Sequence, residues 1–579
     1  MIRTYTHLYI WIVLAVSSLI SACNVENKEA QESADENKYL RDELTVQRGT
    51  ELFNLHCASC HNFIEDVIGP NLAGITSEVD KQWLIDFIKN PVKVIESGDE
   101  RAVGLYNKYN QYMPPFPMLD DEEIEYILGF IHKFSEAEKR NKSNRKGGLL
   151  DPIPEKIATS GLTLEIEEVF KVPGVSNLTP FTRINQMEPG PDDRLFIHDL
   201  RGTLYVVNDD YSLSTYIDLS KEVKNFIDHP GKGSGFGSWT FHPNFPKNGL
   251  FYTTHTEPPG SSIADYPLPD SIKVTLQSVL MEWKTDSPSA KSFSGTSREL
   301  LRVDMATGAH TFQHITFNPL TAEGDRDYGM LYLGIGDAVL SLIGYPELCD
   351  NIRHIWGSVI RIDPMGNNGP NGQYGIPDDN PFVDNPNALG EIWAYGFRNP
   401  HRIVWDKNGS GIMLITNIGQ HSIEEVNLGV AGANYGWPYR EGTFEFDLDA
   451  NIEVVYPVQE ESNYMPPVIQ YDHDEGTAVS GGFVYAGSSI ADLEGKYLFG
   501  DMTRGTLFYT DVSEISQGAL VDAYRLNLAF EGRPNDLETI TQNKRVDLRI
   551  GEDADGELYL FSKSNGTVYK VVGSKKKEL

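Results

Sequence analysis

Apolar positions along this chain keep two rhythms, one after the other. Between Gly49 and Ile131 they recur every three to four residues, the spacing of amphipathic helices. Gly49, Leu52 and Phe53 mark one helix, Trp83, Leu84, Phe87 and Ile88 a second, and Ile124, Ile127, Leu128 and Ile131 a third. Asn90-Pro91 closes the second, because proline cannot extend a helix in that direction. Asp120 and Glu123 read as a capping box that opens the third. Further on the helical rhythm fades, and short β-prone runs bounded by Gly, Asp and Asn replace it. Gly202-Thr203-Leu204-Tyr205-Val206-Val207, Gly329-Met330-Leu331-Tyr332-Leu333 and Gly495-Lys496-Tyr497-Leu498-Phe499 are three such phrases. Gly505-Thr506-Leu507-Phe508-Tyr509, Gly556-Glu557-Leu558-Tyr559-Leu560 and Gly566-Thr567-Val568-Tyr569-Lys570 repeat the pattern. Each is a tight turn leading into a strand whose apolar face can pack on a neighbouring sheet. Irregular repetition over roughly 400 residues predicts a β-propeller with room for about six four-stranded blades. Tandem sandwiches are the alternative, but no clean break divides residues 163–575.

The expected organisation is therefore a small all-α domain over residues 44–137, a charged linker over 138–162 and an all-β propeller over 163–575. Ahead of them, Arg3 and the apolar run from Leu8 to Ile20 have the proportions of a signal peptide over residues 1–22. Ile20-Ser21-Ala22-Cys23 resembles the bacterial lipobox, which implies cleavage before Cys23 and a lipid on its thiol. Residues 23–43 are polar and acidic, as a tether would be. This reading places the protein in the bacterial cell envelope, lipid-anchored to a membrane and facing the periplasm or the exterior. An ordinary signal peptide or an uncleaved anchor remains the alternative. The 579 residues carry a formal net charge of −34, which argues against nucleic acid or an anionic lipid surface as a partner.

The chain has four cysteines. Cys57-Ala58-Ser59-Cys60-His61 has the spacing for covalent haem c, with two thioethers to the haem and His61 as the proximal iron ligand. Cys-x-x-Cys by itself also suits a redox dithiol or half a zinc site. With Cys23 assigned to lipid, no pair is left for a structural disulfide, and Cys349 reads as a buried apolar thiol. Gly69-Pro70-Asn71-Leu72 follows the haem motif, and residues 44–137 resemble a class I cytochrome c. In that family an axial methionine lies just ahead of the last helix. The resemblance points to Met113 in Tyr112-Met113-Pro114-Pro115 as the sixth ligand, with Met118 as its rival and a core methionine as the bland alternative.

Several later segments resemble the glucose/sorbosone dehydrogenase family, in family order. They are Phe241-His242-Pro243-Asn244-Phe245, Gly334-Ile335-Gly336-Asp337, Val359-Ile360-Arg361-Ile362-Asp363-Pro364 and Tyr395-Gly396-Phe397-Arg398-Asn399-Pro400, then Glu424-Glu425-Val426-Asn427 and Asn434-Tyr435-Gly436-Trp437-Pro438. Members are six-bladed quinoprotein propellers that use pyrroloquinoline quinone (PQQ) and calcium. The resemblance implies His310 as catalytic base, Arg398 as the cation facing the quinone oxygen, and Asn399 as a cofactor contact. It further implies calcium on backbone carbonyls near Gly419 and Gln420. His314 competes with His310, since a regular strand would put both on one face. Departures from the pattern are also visible. Phe312, Gln313 and His314 stand where the family has a glycine, and Lys232 or Gly233 stands where it has a glutamine. Thr503 replaces its late lysine, leaving Arg504 next door as the substitute cation, and Arg549 aligns with a late cofactor-binding arginine. The implied function is a quinohaemoprotein dehydrogenase that oxidises a sugar or related alcohol at PQQ. Its electrons pass to the attached haem and on to a downstream acceptor. The alternative is a cofactor-free propeller that binds carbohydrate or protein, fused to an electron-carrying cytochrome.

Overall fold

The computed structural model describes residues 69–109, 112–141, 147–175, 180–229, 231, 233–448, 454–459 and 463–576, together with residues 39, 45, 48, 49, 52, 53, 56, 57, 61, 63 and 452. The leader, Cys23, Cys60, Lys232 and the tether other than Tyr39 lie outside the described residues. Tyr39 is buried, its hydroxyl donating to the Thr76 carbonyl at 3.1 Å, so it belongs to the folded unit and not to a solvated tether. The chain separates into a smaller unit within 1–97 and 115–144 and a larger one within 98–114 and 145–579.

In the smaller unit, helix α1 (Lys81–Lys89) starts where the Asp80 carboxylate accepts the backbone N–H groups of Gln82 and Trp83. This satisfies two amides that a helix start otherwise leaves unpaired. Asn90 ends α1 and caps α2 (Pro91–Glu96), whose first residue is proline. Helix α3 (Asp121–Asn141) opens on the expected reciprocal box. Asp120 Oδ1 accepts from Glu123 N–H at 2.8 Å, and Glu123 Oε2 accepts from Asp120 N–H at 3.2 Å. Ile124, Ile127, Leu128 and Ile131 are buried on one face, and Leu52 and Phe53 are buried as well. The Phe53 ring lies 5.0 Å from Phe130 and 5.3 Å from Phe63. Gly49 permits this contact, because a Cβ there would lie 2.0 Å from the Tyr126 carbonyl oxygen.

The larger unit is propeller-like. Four of its sheets are four-stranded antiparallel meanders. The first comprises Ile184–Pro189, Leu195–Asp199, Thr203–Val207 and Leu213–Asp218. The second comprises Trp239–Phe241, Leu250–Glu257, Leu276–Thr285 and Gly295–Met305. The third comprises Phe312–Phe317, Leu331–Ile335, Ser358–Ile362 and Ile392–Tyr395. The fourth comprises Pro400–Trp405, Met413–Asn417, Ile423–Leu428 and Ile469–Asp472. The remaining main strands form one nine-stranded sheet rather than two separate blades, so a count of sheets does not return the expected six. Its continuity comes from the strand Ala158–Lys171, which pairs in parallel with Tyr524–Phe530 and antiparallel with Thr567–Lys576.

The chain therefore enters the β unit earlier than residue 163. Leu149 N–H already bonds the Val455 carbonyl at 2.8 Å, and Ile153 N–H bonds Asp472 Oδ2 at 3.1 Å. The glycines that lead the repeated phrases, Gly202, Gly329, Gly495, Gly505, Gly556 and Gly566, all have positive φ. Only glycine adopts that region without strain, which is why the turn signal was legible. Residues on or beside the strands beginning at Ile184, Trp239, Phe312, Pro400, Val479 and Leu548 line a shared axial cavity of about 370 Å³, solvent-open space included. Among the described residues no helix is long and apolar enough to cross a membrane.

Candidate functional site

In the smaller unit, Cys57 and His61 lie one helical turn apart, with His61 N–H bonded to the Cys57 carbonyl at 3.0 Å. The Cys57 thiol is buried and not in a disulfide. His61 Nδ1 is 2.9 Å from the Pro70 carbonyl oxygen. A carbonyl can only accept, so Nδ1 carries the proton and Nε2 is the nitrogen presented to iron. The Gly69 backbone comes so close that a Cβ would lie 2.4 Å from the imidazole Cε1. The turn that follows the haem motif thus holds the ligand ring. Met113, half-buried, falls in the segment grouped with the larger unit, whereas its rival Met118, in the smaller unit, is 46 % exposed.

In the larger unit, His310 precedes the strand Phe312–Phe317 and has a φ of 51°. A left-handed backbone at a non-glycine residue is strained and needs outside support. Asp337 provides it, with Oδ1 2.7 Å from His310 Nδ1. The same carboxylate accepts from Val339 N–H at 2.8 Å, Ser341 Oγ at 2.9 Å and Trp437 Nε1 at 2.8 Å. Burial opposes its charge, but the His310 hydrogen bond and the nearby charges of His310 and Arg398 hold Asp337 below the usual carboxylate range. Burial, then the Arg398 charge, push His310 below an ordinary imidazole despite the opposing pull of Asp337. The ring is therefore neutral at pH 7, with its proton on Nδ1 and its basic nitrogen at Nε2.

The rival histidine belongs elsewhere. The ladder is irregular between Phe312 and Ile315, so His310 and His314 do not share a regular strand face. His314 lies on the axial cavity, 3.5 Å from Glu188 Oε1, and its Nδ1 accepts from Ile403 N–H at 3.3 Å.

Arg398 leaves the third sheet on the Tyr395–Pro400 connection, and its backbone carbonyl accepts from Asp337 N–H at 2.8 Å. Its guanidinium lies 5.8 Å from the Trp437 ring centroid. It donates to the Gly419 carbonyl at 2.6 Å, the Ile418 carbonyl at 3.1 Å and Gln420 Oε1 at 2.6 and 2.9 Å. The turn expected to face calcium does converge oxygens on a cation, and here that cation is Arg398. Sequence reasoning missed the residue that shapes this turn. Glu441 is 3 % exposed, and its Oε1 accepts four consecutive N–H groups, from Gln420, His421, Ser422 and Ile423, at 2.8 to 3.0 Å. No short motif announces such a contact, because the two segments meet only in the fold.

Asn399 Oδ1 is buried with no hydrogen-bond partner. An orphaned buried acceptor on the residue that follows Arg398 fits an organic cofactor that brings a hydrogen-bond donor to it. Asp337, Glu441 and Glu424 are the carboxylates whose charge reaches Arg398, and among the described residues they do not form a group able to hold one ion. Among the described residues, the only group of three that could hold one ion is Asp151, Asp472 and Asp474. Calcium beside His310 would accordingly rest on backbone carbonyls.

The remaining expected residues are not drawn into the His310–Arg398 cluster. Arg504 is exposed and donates to the backbone carbonyls of Asp474 and His473 at 2.5 and 3.1 Å. Arg549 donates to Asn185 Oδ1 and the Leu548 carbonyl, on an axial cavity whose lining includes none of His310, Arg398 and Asn399. Cys349 is fully buried with its thiol 3.7 Å from the Asp337 carbonyl oxygen, and burial raises its pKa well above the ordinary thiol value. An unreactive packing role follows.

Comparison with known proteins agrees with this two-part architecture. Residues 46–135 match the cytochrome c family, and residues 181–570 match the family described as Glucose / Sorbosone dehydrogenase. The mouse Hedgehog-interacting protein is 26 % identical over 392 residues, covering 66 % of this chain and 50 % of that protein. Quinoprotein glucose dehydrogenase B of Acinetobacter calcoaceticus is 23 % identical over 447 residues, covering 66 % of this chain and 84 % of that one. The soluble aldose sugar dehydrogenase of Escherichia coli, solved in its apo form, superposes with a TM-score of 0.51 at 18 % identity. It covers 72 % of this chain and all of its own, a likeness of fold alone. This chain spans about half the length of the first plant and vertebrate relatives it matches.

Proposed function

We propose, from the premise that this chain belongs to the glucose/sorbosone dehydrogenase family and carries a cytochrome c domain ahead of it, that it oxidises an aldose or related alcohol and passes the electrons to haem c. The observation that carries this reading is the His310–Asp337 pair at 2.7 Å beside the Arg398 guanidinium. PQQ, if bound there, supplies the two-electron acceptor. Asp337 keeps the His310 proton on Nδ1, so that Nε2 takes the proton from the substrate hydroxyl. Arg398 offers fixed positive charge where negative charge develops on an oxygen during the reaction. Asn399 offers the cofactor an unused carbonyl oxygen, and calcium, if bound, would take backbone carbonyls near Gly419 and Gln420, where the Gly419 oxygen already accepts from Arg398. The imidazole of His61 and the Met113 thioether would complete the haem iron, with Cys57 and Cys60 as the thioether anchors. A lipid on Cys23 would tether the whole to the cell envelope.

Eight strands of the nine-stranded sheet are best read as two four-stranded blades joined at the parallel seam, with the short strand Arg533–Asn535 appended to Tyr524–Phe530, which makes six blades. Support comes from the axial cavity, to which six inner strands contribute. The competing reading, a binding propeller without cofactor, draws on the likeness to Hedgehog-interacting protein and on the full engagement of Arg398 by its own turn.

Reconstitution of the haem-loaded protein with PQQ and calcium distinguishes the two. Addition of aldoses and polyols should reduce the haem, seen in its absorbance. No PQQ binding and no substrate-driven reduction across a broad sugar panel would leave the binding reading in its place.

A further inference from the structure

The axial cavity holds a charge imbalance that the oxidation chemistry does not use. Two guanidinium groups face it, Arg402 at 6 % and Arg549 at 7 % exposure. One carboxylate, Glu188, is close by, and it is already shared. It accepts from Arg402 at 2.5 Å and lies 3.5 Å from His314 Nε2. The neighbouring carboxylates are paired to other cations, Glu552 with Lys407 and Asp547 with Arg545. Arg549 has no carboxylate partner, only Asn185 Oδ1 at 2.9 Å and the Leu548 carbonyl at 2.8 Å. Two polar atoms on the same wall are buried without any hydrogen-bond partner, Arg402 Nε and His401 Nδ1. Burial, reinforced by Arg549, Lys563 and Arg402, keeps His401 well below an ordinary imidazole, as expected in a positive enclosure. Burial pulls even Arg549 down, to about 10.

The Asp547 charge reaches Arg549, but its carboxylate bonds Arg545. A buried guanidinium without a hydrogen-bonded counter-charge is costly, and an unpaired buried donor adds to the cost. An anion between Arg402 and Arg549 would relieve both. Guanidinium groups favour planar or tetrahedral oxyanions, which they can bind through two N–H groups at once. We propose that the axial cavity is a binding site for a small oxyanion of the phosphate, sulfate or carboxylate class, held by Arg402 and Arg549 and separate from the His310–Arg398 cluster. The site stands on its own residues and does not depend on the redox reading.

Inorganic phosphate is the probe. The full haem-loaded protein, free of PQQ, is titrated with phosphate against chloride at constant ionic strength, by calorimetry and by thermal unfolding. Saturable binding and a higher unfolding midpoint are expected with phosphate. Arg549→Gln should weaken phosphate at least tenfold and Arg549→Lys should restore part of it. Lys221→Gln, at a side chain 76 % exposed, should change nothing. Should the Arg549 variants fail to fold, wild-type crystals soaked in selenate give an independent answer as an anomalous peak between the two guanidinium groups. Absence of saturable binding, affinity undiminished in folded Arg549→Gln, or no anomalous peak in the cavity would overturn the site. Displacement of phosphate by PQQ, mole for mole, would also overturn it, because the cavity would then serve the cofactor's own carboxylates. Phosphate and PQQ binding together would support a free anion.

Discussion

The catalytic proposal rests on one imidazole and the carboxylate that holds it. Asp337 lies 27 residues beyond His310 in sequence, and three hydrogen bonds fix its carboxylate besides the one it makes to the ring. Asp337→Asn should leave the haem spectrum intact and lower the rate of sugar-driven haem reduction by about 10²- to 10⁴-fold, the scale seen when a base loses its tautomer partner. Wild-type rate against pH should show an acid limb below about 6.5, the unperturbed imidazole value. The sign follows from the shift, since His310 is depressed in the fold and remains the neutral base until pH falls through that lower value. By linkage the unfolded chain binds the proton first, so the burial of His310 costs stability only as pH falls from the unfolded pKa towards the folded one. Asp337→Asn should move the limb to lower pH, because the carboxylate is what raises the His310 value. A limb at or above pH 7 would contradict the assignment. His310 was readable from the ordered family motifs. Its separation from His314 was not, because it depends on a left-handed backbone and an irregular ladder that no local pattern specifies.

At the scale of elements, the turn after the strand Met413–Asn417 shows how one side chain can organise a site from a distance. Four consecutive amides converge on a single Glu441 oxygen, and the carbonyls of the turn's leading edge are directed to Arg398. Glu441→Ala should destabilise the larger unit by about 3 kcal/mol in chemical denaturation, the cost of several charge-assisted bonds offset in part by water. Glu441→Gln keeps an acceptor and should recover about half of that loss. Equal stability of Glu441→Ala and wild type would show that the turn holds itself. Helices α1 and α3 and the α3 capping box were legible, since a box and an apolar stripe lie within a few residues of one another, whereas Pro91–Glu96 and Glu100–Tyr109 were not read. The glycine-led strands were legible for the same reason. Glu441 was invisible, because its partners lie some twenty residues away across the sheet's own loops.

For the whole molecule, closure is the decisive event. The strand Ala158–Lys171 bridges Tyr524–Phe530 and Thr567–Lys576, so residues from the two ends of the β unit complete one sheet. A chain ending at Gly566 should lose that lock, exposing two strand edges. It should unfold at lower denaturant than wild type or collect as aggregate, as measured by denaturation and light scattering. A truncated protein with the wild-type midpoint would assign closure to other contacts. The two rhythms of the apolar pattern, the haem motif, the helix caps and the turn glycines follow from the sequence alone, because each depends on neighbours within one turn or one hairpin. The tertiary structure decided which histidine meets Asp337, which oxygens meet Arg398, and that Arg549 faces the axial cavity rather than the His310 cluster. It also decided that strands about 400 residues apart would share a seam, since such partners are brought together only when distant inner strands converge on a common axis.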